Sequence, residues 1–205
     1  MPKELVSGTQ GYEEEADRLL QRYEAIRFSD LHGPILHLIP APPCRILDIG
    51  AGTGRDAAAF AEMGHQVVAV EPVDAFRVQA PALHPSTAIK WIADSLPGLT
   101  TMVSYRATFD LIMLTGVWMH LAKRQRRLAM ERISQLAGKN GKVIFRVRHG
   151  PVPPGRRMFE VTDEETIELA RRHGLQVLLR SHEESLQKPN QLSGVTWSRL
   201  VFTRR

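Results

Sequence analysis

The stretch Arg45-Ile-Leu-Asp48-Ile-Gly50-Ala51-Gly52-Thr53-Gly54-Arg55-Asp56 constrains this chain more than any other. A short apolar run meets three glycines at alternate positions, and a helical pattern follows. Without a Cβ, glycine lets the backbone bend sharply and come close to a ligand. The helix that opens behind such a turn presents free N–H groups, which favour negative charge. A dinucleotide fingerprint would set its third glycine at position 55, where Arg55 stands. A Walker loop would close in Gly-Lys-Ser/Thr, and no lysine is present here. Spacing disfavours both phosphate cradles. Asp48, two residues before the first glycine, adds a carboxylate suited to a ligand that carries a positive charge beside a carboxylate.

The rest of the chain alternates in the same way. Strands are predicted at 45–49, 66–70, 89–93, 109–114, 142–147, 175–179 and 196–203, with helices at 56–63, 73–80 and 123–137. Residues 138–141 read as a cap on the last of these helices. Thr162 or Asp163 can N-cap a further helix that ends near His173-Gly174. Upstream, Tyr12, Ala16, Leu19, Leu20 and Tyr23 recur at helical spacing. A second short helix carries Leu31, Ile35, Leu36 and Leu38, and the prolines of 40–43 stop it. The pattern predicts one α/β domain over 1–205: a helical N-terminal cap (1–43) on a doubly wound, Rossmann-like core (44–205). Ligands of such sheets bind beyond the carboxyl ends of the strands. No apolar run reaches the ~20 residues of a membrane span, and the N-terminus is too polar for a signal peptide. The single cysteine, Cys44, excludes an intramolecular disulfide and a cysteine-clustered metal site, so a reducing, cytoplasmic setting is expected and no metal. Lys and Arg outnumber Asp and Glu by 27 to 22, a net charge of +5 that hints at an anionic partner.

The second strand ends in Val70-Glu71-Pro72, an acid able to accept both hydroxyls of an adenosine ribose. The third ends in Ala93-Asp94-Ser95, where a carboxylate or its neighbouring backbone can read an adenine amino group, or where Asp94 N-caps the next helix. Taken in order, Asp48-Ile-Gly50-Ala51-Gly52-Thr-Gly54, Glu71, Asp94 and Phe109-Asp110-Leu-Ile-Met-Leu114 resemble the class I S-adenosylmethionine-dependent methyltransferases, the small stand-alone bacterial members in particular. The motifs cover 44–147, and the alternation carries the likeness onward. The resemblance implies a seven-stranded sheet in the order 3-2-1-4-5-7-6 with strand 7 antiparallel. It also implies methyl transfer from bound S-adenosylmethionine, leaving S-adenosylhomocysteine. Its cofactor contacts would be Asp48, Gly50, Ala51, Gly52, Gly54, Glu71, Pro72, Asp94, Ser95 and Thr115.

Methyl transfer is an in-line displacement on a sulfonium, so alignment supplies much of the acceleration, and a base is needed only where the nucleophile must lose a proton. Thr115-Gly116-Val117-Trp118-Met119-His120-Leu121 follows the fourth strand, where the methyl group is expected. His120 is the candidate base, its alternative being to pack or to satisfy a carbonyl; Trp118 is read as a wall of the acceptor pocket. Arg146, Arg148 and His149 end the fifth strand, before the proline loop 150–155 and Arg156-Arg157. A guanidinium there would fork onto a carboxylate or phosphate, or else pair with Glu160 or Asp163. The candidate acceptor residues are thus Tyr12, Trp118, Arg148 and His149. The polar stretch 181–194 reads as a lid or as irregular chain. The expected acceptor is a small, anionic molecule. A nucleic-acid (RNA) acceptor is a second reading, opposed by Leu114-Thr-Gly-Val117 where an Asn-Pro-Pro-Tyr/Phe stretch would stand. A non-catalytic cofactor-binding protein of the same fold is the third.

Overall fold

The computed structural model describes residues 6, 8–105 and 107–205. Seven strands form one sheet: β1 (Arg45–Ile49), β2 (Gln66–Val70), β3 (Ile89–Ile92), β4 (Phe109–Thr115), β5 (Ala137–His149), β6 (Leu175–Glu184) and β7 (Thr196–Arg204). Their spatial order is β3-β2-β1-β4-β5-β7-β6. β7 runs antiparallel between β5 and β6, whereas β1 to β5 are mutually parallel. The order and the reversed seventh strand are those the resemblance implied.

The central strands are apolar on both faces because helices cover both, as parallel sheets require. Leu47, Ile49, Ile112, Leu114 and Phe145 point to one layer, where α6 (Lys123–Leu136) and α7 (Asp163–Arg172) supply Met130, Ile133 and Leu169. Ile46, Leu111, Met113 and Ile144 point to the other, against Phe60 of α3 (Arg55–Glu62) and Phe28 of α2 (Phe28–His32). By the period of two, Asp48 belongs to the second face, the side that α3 covers. Thr162 caps α7 by accepting the Glu165 N–H at 3.1 Å. α1 (Ala16–Glu24) and α4 (Asp74–Leu83) pack together through Leu19 and Phe76.

Two predicted boundaries move. The 138–141 segment lies within β5: the register passes from Phe109↔Ala137 to Leu111↔Lys142, a bulge that takes up the extra residues. Asn140 there has φ 60°, and a Cβ on Gly141 would stand 2.8 Å from the Gly138 and Phe109 carbonyls. β6 runs on to Glu184, so the first part of 181–194 is strand; the remainder carries the short helix α8 (Lys188–Leu192). α5 (Thr100–Val103) is the helix that the capping alternative for Asp94 anticipated without bounds.

Candidate active site

A cavity of about 740 Å³ opens at the carboxyl edge of the sheet, lined by the glycine turn, the ends of β2, β4 and β5, the N-terminal segment from Val6, and the β6–β7 connection. In the turn, Gly50 has φ +72° and its N–H meets the Val70 carbonyl at 2.8 Å; a Cβ there would lie 2.4 Å from Val117 Cγ2. Gly50, Ala51 and Gly52 line the cavity. Gly54 does not. Its φ is +91°, and a Cβ at this position would stand 2.8 Å from the Trp91 ring, so it is a packing glycine at the start of α3.

Four acids gather at this end. Glu71 is buried and accepts Gly52 N–H on Oε2 at 2.7 Å and Val73 N–H on Oε1 at 2.8 Å, so it is locked against the turn. Burial pushes its pKa up to about 7. Asp48 is buried, and its Oδ2 has no hydrogen-bond partner among the described residues. Asp56 lies beside it, held by His32 Nε2 at 2.8 Å and by Arg55. Asp94 spends its carboxylate on four backbone N–H groups, those of Ser95, Thr100, Thr101 and Met102, at 2.8–3.1 Å. The helix-capping alternative is therefore what its oxygens do, fixing the loop whose residues Asp94 and Ser95 line the cavity. Pro72 and Thr115 line it too, and Thr115 donates to Asp56 Oδ2 at 3.2 Å.

Most basic groups that line the cavity come from β5, the loop beyond it and the N-terminal segment. His120, buried in a short 3₁₀ turn, donates Nδ1–H to the Arg157 carbonyl at 2.7 Å, which leaves Nε2 as acceptor of the Tyr12 hydroxyl at 3.0 Å. Burial, followed by the Arg156 and Arg148 charges, lowers the His120 pKa below its ordinary range, so the ring is neutral near pH 7. Burial also raises Tyr12 far above a free phenol, so it holds its proton. Arg156 stacks on the Tyr12 ring at 4.1 Å and pairs with Glu15 at 2.7 Å. Arg146 stacks on Trp197 at 3.9 Å and pairs with Glu183 at 2.6 Å. Arg148 lines the cavity half-buried, its Nη1 3.9 Å from Met158 Sδ. The pairing considered with Glu160 or Asp163 does not form for Arg146 or Arg156; Asp163 is taken by Arg180 at 2.8 Å.

Besides Gly54, two acceptor-side candidates are corrected. Trp118 is fully buried in the core, edge-on to Phe145 (centroids 4.9 Å apart) with Nε1–H on Thr166 Oγ1 at 3.0 Å, and does not line the cavity. Its neighbours Val117 and Met119 do. His149 sits one strand position beyond Arg148 and thus faces the other side of β5, where it bonds Ser198. The lining residues Arg22, Glu15 and Trp197 carried no readable signal, since they arrive from helix α1, its N-terminal flank and strand β7.

A family model described as a methyltransferase domain matches residues 10–194. An uncharacterized methyltransferase of Bacillus licheniformis is 29% identical over 118 residues, 58% of this chain and 54% of that protein. The chain thus spans about half the length of that curated relative. Among solved structures, the Burkholderia thailandensis 1,6-didemethyltoxoflavin-N1-methyltransferase, with bound 1,6-didemethyltoxoflavin and S-adenosylhomocysteine, superposes at TM-score 0.66 and 22% identity, covering 100% of this chain and 93% of its own. The N-methyltransferase NodS of Bradyrhizobium japonicum, in complex with S-adenosylhomocysteine, gives 0.68 at 16% identity, covering 93% and 98%. No described helix is long and apolar enough to cross a membrane. With nearly its whole length matched and the sheet order reproduced, the chain belongs to the methyltransferase-domain family.

Proposed function

We propose that this protein is an S-adenosylmethionine-dependent methyltransferase that methylates a small, anionic acceptor. The observation that carries the reading is the charge lining the cavity: Asp48, Asp56, Glu71 and Asp94 stand at and beyond the ends of β1–β3, with Arg55 paired to Asp56, while Arg148 and Arg156 line it at the end of β5 and in the loop beyond, with Glu15 as the acid there. The first group suits a cationic donor and the second an anionic acceptor. Similar proteins crystallised with S-adenosylhomocysteine support the donor.

The residues fit that donor. Glu71 stands where it can accept ribose hydroxyls, the bend at Gly50–Gly52 leaves room for an amino-acid tail, and the orphaned Asp48 Oδ2 is a carboxylate oxygen awaiting a partner. When bound, S-adenosylmethionine supplies a methyl group on a positively charged sulfur. The chain does the rest by alignment and by handling one proton. Arg148 holds the acceptor's anionic group in charge-assisted hydrogen bonds. As the acceptor atom took up the methyl group, whose bond to sulfur would break with its electron pair left on sulfur, the acceptor's proton would pass to the Tyr12 oxygen while Tyr12 handed its own to His120 Nε2. The Arg157 carbonyl, already accepting Nδ1–H, steadies the imidazolium.

The test is a thermal-shift series followed by labelling. S-adenosylhomocysteine raises Tm and NAD does not, because a ligand that binds only the native state stabilises it. Label from methyl-tritiated S-adenosylmethionine then appears in carboxylate- or phosphate-bearing metabolites. Stabilisation by NAD alone, or label entering RNA in preference to small anions, would overturn the reading.

A further inference from the structure

The two acids beneath the glycine turn are served unequally. Asp56, 4% exposed, receives His32 Nε2 at 2.8 Å and Thr115 Oγ1 at 3.2 Å on Oδ2, and Arg55 at 2.7–2.8 Å on Oδ1. Asp48, 2% exposed, has an Oδ2 that no described residue reaches with a hydrogen bond. The other charged groups around the pair do not redress this. Arg55 is committed to Asp56, Glu71 at the end of β2 adds negative charge, and Arg146 of β5 is paired with Glu183. Behind His32, Arg199 of β7 lies 3.3 Å from Nδ1 and is itself bound to Glu183. Two carboxylates sharing one dry site do not both ionise; the better-bonded one takes the charge and the other keeps a proton.

We propose that Asp48 holds a proton in the ligand-free protein and gives it up to solvent when a ligand's ammonium group docks, so that binding of the donor's amino-acid tail is coupled to release of a proton. The exchange balances: the Asp48 carboxylic acid and the incoming ammonium become an ion pair, and one proton leaves. The electrostatics agree in direction, since burial and then the Asp56 charge drive Asp48 well above the usual carboxylate range, while His32 and Arg55 hold Asp56 below it. This deepens the donor reading and rests on it.

S-adenosylhomocysteine and methylthioadenosine separate the tail from the rest of the ligand. Both offer the same adenine and ribose, so any proton lost from Glu71 is common to the two. Only the first has the amino-acid tail. Calorimetry at pH 6.5 in two buffers of different ionisation enthalpy counts the protons. S-adenosylhomocysteine is expected to release more protons than methylthioadenosine, and its affinity relative to methylthioadenosine to rise with pH through the Asp48 titration. Asp48→Asn cancels the excess. Equal proton release by both ligands in the unaltered protein would overturn the proposal without touching the donor assignment. Failure of S-adenosylhomocysteine to bind at all would remove that assignment, and this proposal with it.

Discussion

The two ends of the cavity are built differently. The acidic end comes from consecutive strand–turn–helix units: Asp48 to Asp56, Glu71 and Asp94 each lie at or just beyond the end of a parallel strand, within fifty residues of chain. The basic end is assembled across the molecule. Tyr12 meets His120 over 108 residues of separation, Glu15 meets Arg156 over 141, and Arg22 meets Gln187 over 165. A site made from one local unit is set by backbone geometry, whereas one gathered from remote segments depends on how several distant elements pack together. On the proposed reading the first would hold a donor shared by many chemistries, and the second would be free to differ between acceptors.

If that division is real, mutations at the two ends separate cleanly. The largest effect belongs to the basic end. His120→Ala lowers kcat at least about a hundredfold, within the range for loss of a positioned base, while S-adenosylhomocysteine affinity measured by calorimetry stays within twofold. Tyr12→Phe lowers kcat about tenfold. Because His120 titrates below its ordinary range, the unaltered enzyme's kcat falls only on the acid side of neutrality and is flat from pH 7 upward. A kcat profile that still rises above pH 8 would reassign the base.

The next effect belongs to the acidic end and is read in stability. Glu71 has a folded pKa of about 7 against an ordinary 4.5. A carboxyl raised on folding favours the fold while it stays protonated and costs stability as pH climbs from 4.5 towards 7. Between pH 5.5 and 8 that amounts to about 2 kcal/mol at about 1.4 kcal/mol per pKa unit. Denaturant unfolding of the ligand-free protein and of Glu71→Gln at the two pH values isolates it: the unaltered protein loses about 2 kcal/mol more than the variant. Equal losses would mean that the carboxylate ionises without penalty in its place against the turn.

The same contrast explains what could be read from the sequence. β1 and β2 carry the predicted bounds to the residue, because a buried parallel strand is a continuous apolar run stopped by turn residues. β6 runs from the predicted start past 179 to Glu184: at the sheet edge it exposes Arg180, His182 and Glu184, so no apolar signal marks its second half. The glycine turn is legible for the same local reason, although Gly54 serves the Trp91 contact and not the cavity. Asp94 offers two uses, and only the position of α5 decides that its oxygens cap a helix. On the acceptor side, alternation along β5 already separates Arg146 and Arg148 from His149, but the identity of the cavity face depends on β7, which is distant in sequence.

Arg148→Ala tests that face with a moderate effect: acceptor KM rises about tenfold, near 1.4 kcal/mol, and cofactor affinity is unchanged. The size follows from its surroundings. Each neighbouring arginine here already has an acid, Glu15 for Arg156 and Glu183 for Arg146, whereas the contact made by Arg148 is a weak one to a thioether. An acceptor anion is therefore its strongest partner. Unchanged acceptor kinetics would transfer anion binding to the rim, where Arg22 is held by Gln187 and Asn190.

The smallest effect on catalysis concerns Trp118, which the pattern after β4 directed to the acceptor and the structure directs to the core. Trp118→Phe keeps an aromatic ring against Phe145 but removes the indole N–H that Thr166 Oγ1 accepts at 3.0 Å. The threonine hydroxyl still donates to the Thr162 carbonyl at 3.2 Å, so the loss is one buried hydrogen bond and a little packing, about 1–2 kcal/mol of unfolding free energy. Acceptor KM stays within twofold, because Val117 and Met119, not Trp118, face the cavity. A variant of full stability with a raised KM would invert this assignment and return Trp118 to the wall of the acceptor pocket.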